Sequence, residues 1–396
     1  MPPLRSSVAS ALPIAISTRH DLHIHPELGY KEHRTSGIVQ RRLAECGIDF
    51  KGGLAGGTGV LGWLPATVNP ETARTVALRA DMDALPIFEN TGLPYKSTTD
   101  GVMHACGHDG HTTILMTAAG VLKDLAERPN NVLFVFQPAE EGGAGGQRLC
   151  QEGALKGEII GKPADIIFGL HGYPAGELGH VSTRTGPLMA AASQFVIRIR
   201  GKGSHAAYPH FGIDPIVVAA HMVTALQTIA SRSTNPLESI VVTIGQIVAG
   251  VAHNVIPETA VLHGTLRALN DVTNNLGIRR IGEIAENVAL AFGATASVEW
   301  TGAYPVTYND PGATERFRRV ARQTLGESFV HEEPHPSMGG EDFSFYGLEI
   351  PAAFFFLGIR PKGRDSYPNL HSPEFDFNDD AISTGVEMMC ELALSD

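Results

Sequence analysis

Apolar and polar positions divide the chain into two kinds of segment. Four short, nearly continuous apolar runs lie at 75–80 (TVALRA), 132–136 (VLFVF), 166–170 (IIFGL) and 352–357 (AAFFFL). Runs of this length without alternation suit strands buried on both faces, as in a parallel sheet covered by helices. Between several of them the period changes to that of a helix. Residues 112–127 (TTILMTAAGVLKDLAE) repeat apolar side chains every three or four positions, and a second helix is expected over 34–46. This alternation predicts an α/β domain with a mostly parallel central sheet.

The middle of the chain reads differently. Segments 194–200 (QFVIRIR), 239–247 (SIVVTIGQI) and 259–266 (TAVLHGTL) alternate apolar with polar, helix-period stretches at 214–231 and 275–292 interleave with them, and a last strand falls near 295–301. The order βαββαβ is the ferredoxin-like split motif, a unit of about 110 residues that can fold as an insert. The expected organisation is a discontinuous larger domain at 1–186 and 302–396, with an inserted domain at 187–301. Segments 178–188 and 301–312, which contain Gly and Pro, suit hinges between them.

Composition narrows the partners. At 396 residues the chain exceeds what one core usually holds, and 43% hydrophobic with 18% charged residues is globular usage. No stretch approaches the roughly 18 apolar residues of a membrane helix. A net charge of −12 speaks against nucleic acid and anionic membrane surfaces. Cys46, Cys106, Cys150 and Cys390 show no CxxC spacing and are too few for a disulfide framework, so a reducing compartment, the cytoplasm, is expected. The broken apolar stretch at 12–16 makes a poor signal peptide.

The chemistry gathers where the strands end. Asp81 and Asp83 follow the first apolar run, Glu140 and Glu141 the second, and His171 the third. In open α/β sheets the ligand crevice lies at the carboxyl ends of the strands, so residues far apart in sequence converge there. Segment 103–112 (MHACGHDGHT) adds Cys106, His108, Asp109 and His111, and His371 lies beyond the fourth run. Taken singly, a histidine is more often a hydrogen-bonded structural residue, and Cys106 reads as a small buried hydrophobe. Taken together, Cys106, His108, Glu141, His171 and His371 suit two divalent metals, with thiolate, imidazole and carboxylate all acceptable to zinc. Glu140 and Glu141 are neighbours that an extended backbone would point to opposite sides, so one is free to bind metal while the other faces water. The following GGAGG lacks the Lys-Ser/Thr ending of a phosphate loop. In the insert, His205 sits in a tight loop (GKGSHAAYP), Asn254 precedes a strand and Arg267 ends one. Asn and Arg suit a substrate carboxylate, Arg through a bidentate fork.

These segments together resemble the dinuclear zinc amidohydrolases of the aminoacylase and carboxypeptidase superfamily, most closely the hippurate hydrolase and auxin-conjugate (IAA-amino acid) hydrolase branch. The motifs run in order through nearly the whole chain: RHDLHIHPELGYKE, ALRADMDALP, MHACGHDGHT, FQPAEEGGAGG, GLHGYP, GPLMAA, GKGSHAAYPH, AHNVIP, MGGEDFSFY and LHSPEFDFND. Ser204 departs locally, where glycine is common before the His. The resemblance implies a zinc-peptidase-like catalytic domain, with Cys106, His108, Glu141, His171 and His371 holding two divalent ions, zinc first and manganese, cobalt or nickel as alternatives. It implies Glu140 as general base and acid, and Asp83 as a residue orienting the metal site. It also implies an inserted lid and dimerisation domain, so a homodimer or higher homo-oligomer. That domain would supply His205 to polarise the scissile carbonyl and Asn254 and Arg267 to meet the substrate carboxylate. His20, His23 and His25 belong to the N-terminal motif and are expected to be structural or supporting; Asp342 is expected to line the pocket. The implied reaction is hydrolysis of an N-acyl amino acid, a small-molecule partner, to a carboxylic acid and a free amino acid. A dipeptidase or carboxypeptidase on the same scaffold is the alternative. A non-catalytic conjugate-binding protein would have lost the base or ligands, whereas all six positions are filled.

Overall fold

The computed structural model describes residues 2–395. The chain divides into two compact units, one of Met1–Leu188, Tyr308–His335 and Asp342–Asp396, the other of Met189–Thr307 and Pro336–Glu341.

The larger unit is built on an eight-stranded mixed sheet. The four apolar runs become strands Thr75–Asp81, Asn131–Gln137, Ile166–Glu177 and Ala352–Arg360. They lie side by side and parallel: Thr75–Asp81 pairs with both Asn131–Gln137 and Ile166–Glu177, which pairs with Ala352–Arg360. Antiparallel strands flank this block, with Gly59–Leu64 against Asn131–Gln137 and Val181–Thr183 against Ala352–Arg360. Every residue of Thr75–Asp81 and Asn131–Gln137 is buried, which is why these strands read as runs without alternation.

Helix His108–Asp124 begins four residues earlier than its periodicity suggested and is buried from His108 through Leu122. Helices Pro2–Ile24 and Ala381–Leu394 pack on it. Large side chains in this core, such as Phe134, Phe168, Phe317 and Phe355, are essentially fully buried, and each contributes roughly 1.5–3 kcal/mol relative to exposure. Among the described residues no helix is long and apolar enough to cross a membrane.

The second unit contains a four-stranded antiparallel sheet. Strands Ala191–Arg200, Ile240–Ala249, Thr259–Ala268 and Thr295–Tyr304 and helices Pro215–Leu226 and Asp271–Ala291 follow in the order βαββαβ. Strand Ala191–Arg200 sends Phe195, Ile197 and Ile199 into the core while Gln194, Arg198 and Arg200 are exposed. That is the period-two pattern of a sheet buried on one face. Both helices carry N-caps: Asp214 accepts from the Ile216 amide and Asn270 from that of Thr273.

Candidate metal centre

The carboxyl ends of the parallel strands deliver the polar residues. Asp81 ends its strand, Gln137 lies opposite it, and His171 lies within its own strand opposite Phe356. Gly107, at φ 86°, turns the chain between Cys106 and His108 and starts helix His108–Asp124. A Cβ there would come within 3.0 Å of Phe377, so the position suits glycine on both grounds.

Glu140 and Glu141 occupy a kinked turn, not the extended segment their alternation implied. Ala139 and Ala144 on either side are left-handed, and Glu141 has φ −71° and ψ 73°. The kink leaves the two carboxylates within 4.8 Å of one another rather than on opposite sides of a strand. The Ala139 amide is held by buried Glu32, which also accepts from the Thr58 hydroxyl. A Cβ at Gly145 would lie 1.7 Å from the Pro138 carbonyl oxygen, so the turn closes only on glycine.

The five expected ligand residues meet. Cys106, His108 and His171 form one group and Cys106, Glu141 and His371 another, with ligand atoms within 4.8 Å of one another in each. Cys106 is common to both. His108, Glu140 and Glu141 form a third such group, which brings Glu140 to the same place. Cys106 Sγ lies 3.3 Å from His171 Nε2, and His371 Nε2 lies 3.2 Å from Glu141 Oε1. His371 sits at φ 63°, a strained conformation for a residue with a Cβ, and its amide donates to the Ala105 carbonyl.

Neighbouring groups fix which nitrogen each ring offers. His171 Nδ1 donates to the Gly172 carbonyl at 2.8 Å, which leaves the Nε2 lone pair facing Cys106. His108 Nδ1 donates to the Asp83 carbonyl at 2.9 Å and lies 3.2 Å from its carboxylate, and Nε2 is buried with no hydrogen-bond partner among the described residues. Asp83 also accepts from the Glu141 amide at 2.9 Å, so one carboxylate orients two of the five.

Charge points the same way. Burial raises the Cys106 thiol well above its ordinary pKa, and Glu141, Glu140 and Asp81 raise it further. Burial opposes the charged form of His108, yet Asp81, Asp83 and Glu141 prevail and lift it to about 10. His171 is held neutral by burial and by His111 and His108. An orphaned imidazole nitrogen in a set of thiol, imidazole and carboxylate donors fits divalent cations.

Residues outside the five-ligand set lie beneath it. Arg79, fully buried, donates to Asp81 at 2.7 Å, to Asp342 at 3.0 Å and to the Gln137 side-chain oxygen at 2.9 Å. Asp81 in turn accepts from His111 Nδ1 at 2.7 Å, and His111 Nε2 accepts from the Gly172 amide, beside His171. Asp342 is fully buried and takes hydrogen bonds from Arg79, the Gln137 side chain and the Gly146 amide, while its own amide reaches Glu140 Oε1 at 3.4 Å. It anchors the glutamate turn. An arginine inside an otherwise apolar run was the signal available in the sequence.

In the second unit, Ser204–His205 pairs antiparallel with Val255–Ile256, and the Ala206 amide donates to the Asn254 carbonyl, so His205 and Asn254 are neighbours. The Ala207 amide donates to His205 Nδ1 at 3.0 Å, which puts the ring proton on exposed Nε2. Arg267 lies instead on the four-stranded sheet, opposite Ala192 and Val241.

A mixed sheet with this donor group at its carboxyl edge places the chain among the metallopeptidase-like hydrolases. The description "Peptidase family M20/M25/M40" matches residues 77–395, and the chain belongs to that family. It is 40% identical over 380 residues to N-acetyl-L-cysteine deacetylase of Bacillus subtilis (strain 168), covering 96% of this chain and 87% of the relative. It is 39% identical over 384 residues to IAA-amino acid hydrolase ILR1-like 4 of Arabidopsis thaliana, covering 96% and 84%. A Bacillus subtilis structure described as a dinuclear metal binding peptidase superposes with a TM-score of 0.81 at 32% identity, covering 98% of each chain.

Proposed function

We propose that this protein is a metal-dependent amidohydrolase of N-acyl amino acids, releasing a carboxylic acid and the free amino acid. The observation that carries the reading is the convergence of Cys106, His108, Glu141, His171 and His371 with Glu140, in a chain of this family. Two divalent ions held by the five ligands would polarise the scissile carbonyl and lower the pKa of water towards neutrality, zinc being the first choice and manganese, cobalt and nickel the others. Glu140 takes the proton of the attacking water and delivers it to the departing nitrogen as the C–N bond breaks. His205 donates from Nε2 to the carbonyl oxygen as negative charge develops there. Asn254 and Arg267 bind the substrate carboxylate and Asp83 keeps His108 and Glu141 oriented. The second unit acts as lid and dimerisation domain, and a strictly monomeric protein in sedimentation velocity would remove the dimer.

The test compares kcat/KM of the ion-loaded protein on N-acetyl, N-benzoyl and indole-acetyl amino acids with matched dipeptides. N-acyl substrates are expected to be at least about tenfold better, because a free ammonium would have to be desolvated and brought near the proposed divalent ions. Faster dipeptide cleavage would move the assignment to a peptidase. No turnover of either class by protein with its full complement of ions would end the reading.

A further inference from the structure

We propose that Arg19, on the N-terminal helix, is a positioning residue for the metal centre, setting ion affinity through the carboxylates it binds without touching an ion. The inference rests on the ligand roles proposed for His108 and His371. Arg19 is fully buried near the end of helix Pro2–Ile24. Its Nη1 lies 3.1 Å from Asp109 and 3.0 Å from Asp376, and its Nε bonds Asp379. Asp109 directly follows His108 in the first turn of helix His108–Asp124, and the same Asp109 oxygen meets His23 Nδ1 at 2.8 Å. Asp376 and Asp379 belong to the segment that follows His371. One guanidinium therefore ties the start of the ligand-bearing helix to the stretch of chain downstream of a ligand from the far end of the sequence.

A mere filler of this space would be apolar, since burying a guanidinium and the Asp109 carboxylate fully, and Asp376 and Asp379 in part, carries a large desolvation cost. What the ion cluster provides is direction: a planar fork specifies where each carboxylate sits, which a lysine cannot reproduce. Surrounding groups hydrogen-bond to the same carboxylates. His20 Nε2 lies 2.7 Å from Asp379, the Tyr95 hydroxyl donates to Asp376, and Tyr95 stacks on His20. Burial works against a charged His23, but Asp109 and Glu89 outweigh it and lift its pKa to about 9. With Asp109 held from two sides, the first helical turn has one orientation, and His108 projects from that turn.

Partners behind a metal ligand typically change ion affinity by about 10- to 100-fold. Chelator competition with zinc on purified Arg19→Lys is expected to show at least tenfold weaker binding than wild type. His23→Gln, which frees one side of Asp109 and leaves Arg19 in place, is expected to weaken it less but in the same direction, and it decides the matter if Arg19→Lys fails to fold. Arg316→Lys is the control. Arg316 is a buried arginine that binds the Leu392 and Ser395 carbonyls, so its loss should lower the melting temperature and leave zinc affinity unchanged. Wild-type zinc affinity in folded Arg19→Lys and His23→Gln would overturn the proposal and leave the functional reading standing. A wild-type protein that binds no zinc, manganese, cobalt or nickel would instead sink the functional reading and this inference with it.

Discussion

Replacing Glu140 with Gln is expected to lower kcat by about 10²- to 10⁴-fold, the usual contribution of a positioned general acid–base group, while ion content stays at the wild-type level. The amide keeps the size of the side chain and its ability to accept from the Asp342 amide, so the turn closed by Gly145 should persist. Only the proton acceptor is lost. Glu141→Gln makes the contrast. Glu141 is part of the donor group with Cys106 and His371, and its carboxylate is held below its ordinary range by His371 and His108 in spite of burial. That variant should lose bound ions as well as turnover. Steady-state hydrolysis of an N-acetyl amino acid beside elemental analysis separates the two adjacent acids. A Glu140→Gln enzyme within tenfold of wild type would remove the base from the mechanism.

Those two adjacent glutamates show where sequence pattern was informative and where it ran out. The four apolar runs could be placed because strands buried on both faces leave no polar alternation to obscure them, and their polar ends marked the edge where Cys106, His108, Glu141, His171 and His371 gather. That Glu140 and Glu141 would point to opposite sides was wrong, since their carboxylates lie within 4.8 Å of one another beside His108. The cause is a kink between left-handed Ala139 and Ala144, held by Glu32 from far up the chain, and no local propensity reports such a contact. Asp342 illustrates the same limit, since it accepts from Arg79, Gln137 and Gly146, segments that meet only in the folded sheet. Arg19 was hidden for a related reason: on a helix of weak amphipathicity, nothing in the local pattern distinguishes a solvated arginine from one surrounded by three aspartates.

Arg79 carried a local signal that went unread, a charge inside an apolar strand, and its removal should be the most damaging change to stability. Arg79→Met is expected to cost about 3–5 kcal/mol, because it leaves Asp81 and Asp342 buried without their shared cation. Burial opposes the charged form of Asp81, yet His108, Arg79 and His111 hold it well below the ordinary carboxylate range. A loss of that size is a large part of the roughly 5–15 kcal/mol that stabilises a typical domain. Arg79→Met/Asp342→Asn should recover part of it, since one of the two stranded charges is gone and the amide still accepts from the Gly146 N–H. Denaturant titration of the larger unit's transition, with ions bound, measures both variants. A single-variant cost under about 1 kcal/mol would mean that the two carboxylates find other partners or protonate cheaply, and the path from Asp342 through Arg79 and Asp81 to His111 would then not be what holds Glu140 and His171 in register.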